Sequence, residues 1–332
     1  MQEKEMTMRE ALNLALDEAL QADDRVFLLG EDIADPGATG PTAGLSTKYG
    51  HDRVLDTPIS EAAIVGAAIG AAIDGLLPVA EIMIMDFIGI AADQLINNAA
   101  KLRFMTAGRT TAPITIRTQV YAGLATGATH SQSLEAWFMH IPGMKVIVPS
   151  TPRDGKGLLT TAIFDQDPCL FIETIRLQSK KGPVPVEPGF SIPLGQADIK
   201  RAGTDVSVIS YGRSVHEALA AAATLADQGV SAEVVDLRTL VPLDVETMVE
   251  SARRTKRAVI VHDAVQFAGP GAEIAAILQS ELFGELAAPV ERVGARFVPS
   301  PAAAALEAQV YPSAAGIVDA ARRTLQTAKA HG

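Results

Sequence analysis

The apolar residues of this chain recur in two alternating rhythms. Residues 7–21 place them at helical spacing, and 26–29 form an unbroken apolar run that ends in Gly30-Glu31-Asp32, a pattern that predicts a helix followed by a buried strand. The stretch 55–75 predicts a short extended run stopped by Pro58, then a helix capped by Ser60 with Glu61 in its first turn, where the macrodipole favours negative charge. Residues 62–73 carry no charge and no polar face, so the expectation is a helix buried all round, too short to span a bilayer. Ala62, Gly66 and Gly70 share one stripe of it. A mid-helix Gly costs about 1 kcal/mol relative to Ala, and close approach by another element would explain the two.

Further strands are predicted at 78–84, 113–117, 145–148 and 169–173, with a helix over about 88–105 and a glycine-rich loop over 121–130. Residues 33–50, rich in Gly, Pro, Thr and Ala, read as a long loop. Between 178 and 199 the pattern breaks into Lys-Lys-Gly-Pro-Val-Pro-Val-Glu-Pro-Gly, which is linker composition. It restarts with strands at 206–210, 232–237 and 258–262 and helices near 213–228, 243–255, 272–282 and 313–328. The fold class is therefore α/β with mainly parallel sheets in two domains, 1–185 and 201–332, joined by a linker over 186–200.

Composition narrows the function classes. The chain has 332 residues, 48% hydrophobic and 20% charged, which leaves room for two such domains and fits no disordered or fibrous class. A net charge of -11 with no offsetting basic cluster argues against nucleic acid or an anionic membrane as partner. The charged N-terminal Met-Gln-Glu-Lys-Glu-Met lacks an apolar signal region, so a cytoplasmic location is expected. The single cysteine, Cys169, forms no disulfide framework and reads as a small buried strand residue with nothing basic beside it.

No Gly-x-Gly-x-x-Gly follows a predicted strand, and no Walker loop occurs. The histidines at 51, 130, 140, 216, 262 and 331 form no HxxxH or HExxH pair, so a metal site built on histidine pairs is not expected. His130 closes the second glycine-rich loop and has two readings, a structural residue or a proton donor near neutral pH. Glu61 also has two: the acidic first turn of a core helix, or a buried acid whose pKa apolar surroundings raise for proton chemistry. Asp93, Gln94, Asn97 and Asn98 lie on one side of their helix, as a functional cluster or as a solvated face.

Several words occur together in order: Leu29-Gly30-Glu31-Asp32, Asp56-Thr57-Pro58-Ile59-Ser60-Glu61, Asp93-Gln94-Leu95-Ile96-Asn97, His130-Ser131-Gln132, Ile141-Pro142-Gly143 and Asp236-Leu237-Arg238-Thr239-Leu240-Val241-Pro242. From about residue 6 to 325 the sequence resembles the β subunit of a thiamine diphosphate-dependent 2-oxo acid dehydrogenase, the E1 component of pyruvate, acetoin or branched-chain complexes. The resemblance implies a transketolase-type pyrimidine-binding domain, a transketolase C-terminal-like domain, and a heterotetramer with an α subunit that holds the diphosphate and Mg2+. It implies pyruvate dehydrogenase-type oxidative decarboxylation, with acyl transfer to the lipoyl group of an E2 acyltransferase, active only with the α subunit.

By the same resemblance, Glu61 would bond the N1′ nitrogen of the cofactor's aminopyrimidine, Phe87 would stack on that ring, and Ile90 would lie near it. His130 would line the channel and pass protons during acyl transfer. Carbonyls of Ile114, Ala162 and Ile163, with Asp165 and Asp167, would frame a potassium ion that supports structure. Asp74-Gly75 and Asn97-Asn98 imitate the family's magnesium signature, but Ile73 stands where its first glycine belongs and the match reads as accidental. Thr129 replaces a usual Gln, Ile90 a polar residue of pyruvate-type subunits, and Pro299-Ser300-Pro301 lacks a following aromatic. The alternatives are an acetoin dehydrogenase β subunit, towards which 86–89 and 118–123 lean, a non-oxidative transketolase-like enzyme without an E2, and a non-catalytic structural partner of the α subunit.

Overall fold

The apolar run at 26–29 becomes an inner strand of a parallel sheet in the computed structural model, which describes residues 2–34 and 40–327. By contacts the chain divides into two compact units, Met1–Tyr121 with Trp137–Leu194, and Ala122–Ala136 with Gly195–Gly332.

In the first unit, β1 (Glu3–Thr7) leads into α1 (Met8–Ala22) through a capping box. Thr7 Oγ1 accepts the Glu10 N–H at 3.2 Å, and the Glu10 carboxylate accepts the Thr7 N–H at 2.7 Å. There follow β2 (Val26–Gly30), α2 (Leu45–Tyr49), β3 (Val54–Asp56), α3 (Glu61–Ile73) and β4 (Leu77–Ile84). A helical rod of changing pitch comes next, a 3-10 turn over Met85–Ala91, a π stretch over Gln94–Ala99, and α4 (Ala100–Met105). Then come β5 (Thr115–Val120), α5 (Glu135–Met139), β6 (Lys145–Ile147), α6 (Pro152–Ile163), β7 (Cys169–Thr174) and β8 (Lys181–Pro185). The parallel strands lie in the order β6-β7-β5-β4-β2-β3. Leu12, Leu16 and Leu20 of α1 and Leu158 and Leu159 of α6 bury one face of this sheet against Leu28, Val79 and Phe171.

The second unit contains β9 (Asp198–Arg201), β10 (Val206–Ser210), α7 (Ser214–Ala226), β11 (Ala232–Asp236), β12 (Thr239–Val241), α8 (Val245–Thr255), β13 (Ala258–Val265), α9 (Pro270–Glu281), β14 (Glu291–Ala295), α10 (Ala304–Glu307) and α11 (Ala314–Thr327). Its sheet runs β14-β13-β10-β11-β9, parallel except for β9. Val208, Val234, Val259 and Val261 pack there against Val215, Ala218, Leu225, Ile317 and Ala321.

The structure departs from the sequence expectations in four places. Helix α3 is not buried all round: Ala63, Ala67, Gly70 and Ile73 are exposed, a Cβ on Gly70 would meet nothing within 4 Å, and one on Gly66 only Gln94 Cγ at 3.8 Å. Its apolar surface is wider than this chain covers. Ser60 does not cap it, because the Ser60 hydroxyl donates to the Ile59 carbonyl at 2.7 Å instead. The helix expected over 88–105 changes pitch three times. Linker composition at 181–185 is a strand, since β1 and β8 form a two-stranded sheet whose outer edges tolerate proline, and the stretch 186–200 ends inside β9. Within the expected loop over 33–50 lies α2; residues 35–39 of that loop, His331 and the last residue of the helix expected over 313–328 fall outside the described residues.

Candidate active site

The connections of the first unit's sheet reverse direction at one place. From β2 the chain moves outward to β3, and from β4 it moves the other way to β5, so β2 and β4 flank a topological switch point. Ligands of open parallel sheets bind outside the carboxyl ends of the strands at such a crevice. Glu31 follows β2, the segment Thr57 to Glu61 follows β3, and Asp86 and Phe87 follow β4, so all of them lie at this edge. The turn after β2 is tightly made. A Cβ on Gly30 would stand 2.9 Å from the Glu81 carbonyl, the Thr57 N–H donates to the Gly30 carbonyl at 2.9 Å, and the Ala34 N–H donates to Asp56 Oδ1 at 2.7 Å.

Glu61 is 5% exposed at the N-terminus of α3. Among the described residues its carboxylate has neither a hydrogen-bond nor an ion-pair partner. A buried carboxylate without a donor is costly, and an external N–H or a shared proton would satisfy it. Its charge also reaches Glu31, whose pKa is raised by burial first, then by Glu61 and Asp32. Phe87 is half-buried on the 3-10 turn that packs on α3, while Ile90 on the same turn is 59% exposed. Glu31 further lines a polar cavity of about 450 Å³ together with Arg9, Glu81, Gln119, Tyr121 and Gln178.

His130 lies in the second unit, on the segment 122–136. Its Nδ1 is 3.0 Å from Thr129 Oγ1, and its carbonyl accepts the Thr126 hydroxyl at 2.8 Å. The neighbouring residues Thr129, Ser131 and Leu134 line a mainly apolar cavity of about 550 Å³ with Val265, Phe297 and Val310.

The transketolase pyrimidine-binding domain matches residues 4–179, and the transketolase C-terminal domain matches residues 195–317. The chain is 46% identical to the β subunit of acetoin:2,6-dichlorophenolindophenol oxidoreductase from Cupriavidus necator, over 98% of its own length and 99% of the relative's. It is equally 46% identical to a mitochondrial pyruvate dehydrogenase E1 component β subunit from Oryza sativa, over 96% of this chain and 86% of that one. The chain belongs to this transketolase-like family of dehydrogenase β subunits. Among solved structures, a split-gene transketolase described as an inactive beta4 tetramer superposes with a TM-score of 0.77 at 25% identity, covering 97% of this chain and 99% of that one.

Membership of this family implies thiamine diphosphate use, and the Glu61 carboxylate, without a partner among the described residues, fits the aminopyrimidine of that cofactor. The potassium set fits less completely. Asp165 is held by Lys145 Nζ at 2.6 and 2.7 Å, and Asp167 by Arg103 Nε at 2.6 Å, so their charges are already neutralised. Ile114 and Ala162 offer carbonyls that accept the Cys169 and Asp165 N–H groups at 2.9 and 3.2 Å. A cation beside Ile163 would therefore rest on main-chain oxygens alone. The described residues contain no cluster of three or more His, Cys, Asp or Glu able to hold a metal. Asn97 donates to Asp93 Oδ1 at 2.7 Å and both are exposed, which is the solvated-face reading of that polar group. Cys169 is fully buried, and burial pushes its thiol pKa up.

Sequence reading missed two buried charge clusters of this family member. Arg117 on β5 donates to Glu173 and Glu81 beneath the switch-point edge, at 2.8 and 2.6 Å. Glu135, 3% exposed, accepts the Tyr211 hydroxyl at 2.7 Å. Arg117 stands between Ile116 and Thr118 in a strand buried on both faces, and no local pattern marks it. Glu135 follows a quoted motif closely, and that proximity was its only signal.

Proposed function

We propose that this chain is the β subunit of a 2-oxo acid dehydrogenase E1 component of the pyruvate dehydrogenase type, active with an α subunit in a heterotetramer. The observation that carries the reading is the Glu61 carboxylate at the switch-point edge, on a residue 5% exposed and without a partner among the described residues. Bound thiamine diphosphate would supply a sink for the negative charge left on the substrate's 2-oxo carbon when the carboxyl group departs. Glu61 would hold a proton at the N1′ nitrogen, and Phe87 would orient the ring. Ile90 would lie near that ring.

The overall step is balanced without a further oxidant. The C–C bond to the substrate carboxyl breaks and carbon dioxide leaves. The acyl carbon is oxidised as it forms a C–S bond to a lipoyl sulfur, and the lipoyl S–S bond is reduced, its second sulfur taking a proton. His130 passes that proton at an imidazole nitrogen. Magnesium belongs to the α subunit in this reading, potassium to the main-chain carbonyls near Ile163, and the lipoyl group to an E2 partner.

Exposed apolar side chains beside the site, Ile59 at 80% and Ile90 at 59%, together with the open face of α3, support an α subunit seated there. Among the described residues no helix is long and apolar enough to cross a membrane, and a cytoplasmic location accords with the reading. The acetoin reading keeps the same residues and loses an aldehyde instead of carbon dioxide; the Cupriavidus necator relative favours it as the second possibility.

Co-purification with the α subunit, thiamine diphosphate titration, and dye reduction with pyruvate, branched 2-oxo acids and acetoin in turn test the proposal. Reduction with one substrate is expected. Cofactor binding without reduction by any of them would favour the non-oxidative alternative. A Glu61→Gln complex that assembles normally and stays fully active would leave only the structural-partner role.

A further inference from the structure

The segment that carries His130 follows β5 in the chain but is pinned at both ends by residues of the second unit. At its start, the buried carboxylate of Glu307 accepts the N–H groups of Gly123 at 3.1 Å and Ala125 at 2.6 Å, and the Ser300 hydroxyl at 3.2 Å. At its end, the Tyr311 hydroxyl donates to the Ser131 carbonyl at 2.8 Å, and the Tyr211 hydroxyl donates to Glu135 Oε1 at 2.7 Å. His130 stands between the two sets of pins.

Among the groups in these bonds, Glu135 is the one left incomplete, since its Oε2 is buried and has no hydrogen-bond partner among the described residues. The charges around it do not help. Asp263 on β13 faces it, and the Arg213 guanidinium that offsets Asp263 is held by it at 2.9 and 2.5 Å and by Glu217 at 3.1 Å. Ser214 also donates to Asp263, at 3.1 Å. The ring of Tyr211 stacks on buried His262 at 6.3 Å, and burial depresses the His262 pKa to about 4, so that imidazole is neutral. An ionised Glu135 would have only the Tyr211 hydroxyl and its own main-chain N–H as donors, in a buried site near the Asp263 carboxylate.

We propose that Glu135 is a positioning residue for His130, holding the end of the 122–136 segment in place as a neutral carboxyl and releasing it on ionisation. The link to catalysis rests on the reading of His130 given above; the coupling of Glu135 to the segment does not. Burial, with a smaller contribution from Asp263 and against the Tyr211 bond, raises the Glu135 pKa from 4.5 to about 7. In an opened segment the carboxyl would meet water and ionise at its ordinary value. By linkage the closed arrangement is therefore most favoured below about pH 4.5, and the advantage is lost as pH rises to about 7.

Hydrogen exchange of the full chain, corrected for intrinsic rates, tests this at about pH 6 and about pH 8.5. Protection of residues 122–136 relative to β10 should fall roughly tenfold across that range in the wild type, and stay level in Glu135→Gln. Tyr211→Phe, which removes the donor that favours the anion, should move the transition to higher pH. Equal protection of the wild type at both pH values, or the same loss in Glu135→Gln, would overturn the proposal. In the assembled enzyme, acyl transfer to a lipoyl domain should follow the exchange profile. An exchange profile as expected with lipoyl transfer that ignores it supports the coupling and sinks the assigned role of His130.

Discussion

Arg117 and Glu173 bury opposite charges against each other on adjacent strands, with Arg117 Nε donating to Glu173 Oε1 at 2.8 Å and both side chains almost sealed from solvent. Glu81 takes a second donor of the same guanidinium at 2.6 Å, and Gln178 donates to Glu173 Oε2 at 2.6 Å. Burial raises the Glu173 pKa despite the attraction of Arg117. Removing the cation would leave two carboxylates facing each other below the switch-point edge. Arg117→Ala is expected to cost about 3–5 kcal/mol, read from the urea midpoint of the full chain, because an unpaired buried charge is worse than no charge. A loss under about 1 kcal/mol would mean that water reaches the cluster.

Glu135 gives stability a pH dependence of definite sign. Its folded pKa, about 7, lies above the 4.5 of the unfolded chain, so its contribution is fully present below about pH 4.5 and is lost as pH rises to about 7. The loss is at most about 3 kcal/mol. Denaturant titrations at about pH 5 and about pH 8 should show the wild type losing stability relative to Glu135→Gln, whose amide accepts the Tyr211 hydroxyl without titrating. A parallel pH dependence in the two proteins would assign the effect to other groups.

Much of the α/β framework was legible from the sequence because its strands are apolar runs of the right length and its helices keep their period. The run at 26–29 and the valines of β10 and β13 needed no tertiary information. The α3 helix shows where local reading stops. Its composition implies complete burial, yet this chain leaves Gly70 and Ile73 open, since periodicity reports that a face is apolar and not which molecule covers it. Proline-rich β8 read as linker because an edge strand and an extended linker share a composition. At the site, Glu61 and His130 stood out by position in motifs. The groups that fix the His130 segment, Tyr211, Glu307 and Tyr311, are far from it in sequence, and only the fold brings them to it.

Gly143, in the Ile141-Pro142-Gly143 word, has a backbone reason for being glycine. Its φ is +100°, and a Cβ there would stand 2.0 Å from the Ala100 carbonyl at the start of α4. Both the conformation and the close approach exclude a side chain. Gly143→Ala should therefore destabilise the first unit by at least about 3 kcal/mol, measured by chemical denaturation. Gly70→Ala is the control: with nothing within 4 Å of its Cβ it should stabilise the isolated chain by up to about 1 kcal/mol.

Glu61 should separate stability from function in a way that a structural residue would not. Its carboxylate is 5% exposed, lacks a partner among the described residues, and stands near enough to Glu31 to help raise that residue's pKa after burial. Replacing it by Gln removes a buried charge and breaks no bond seen within the described chain. Glu61→Gln should therefore melt no lower than the wild type, and the Glu31 carboxyl should titrate at lower pH once its neighbour is neutral, an effect visible by carboxyl-carbon NMR. In the assembled complex the same variant should lose at least about a hundredfold in turnover with the α subunit still bound, as expected when a positioned acid–base group is lost. A variant that melts markedly lower would show that Glu61 has a structural partner. One that keeps its turnover in a normally assembled complex would leave this chain only the role of a structural partner of the α subunit.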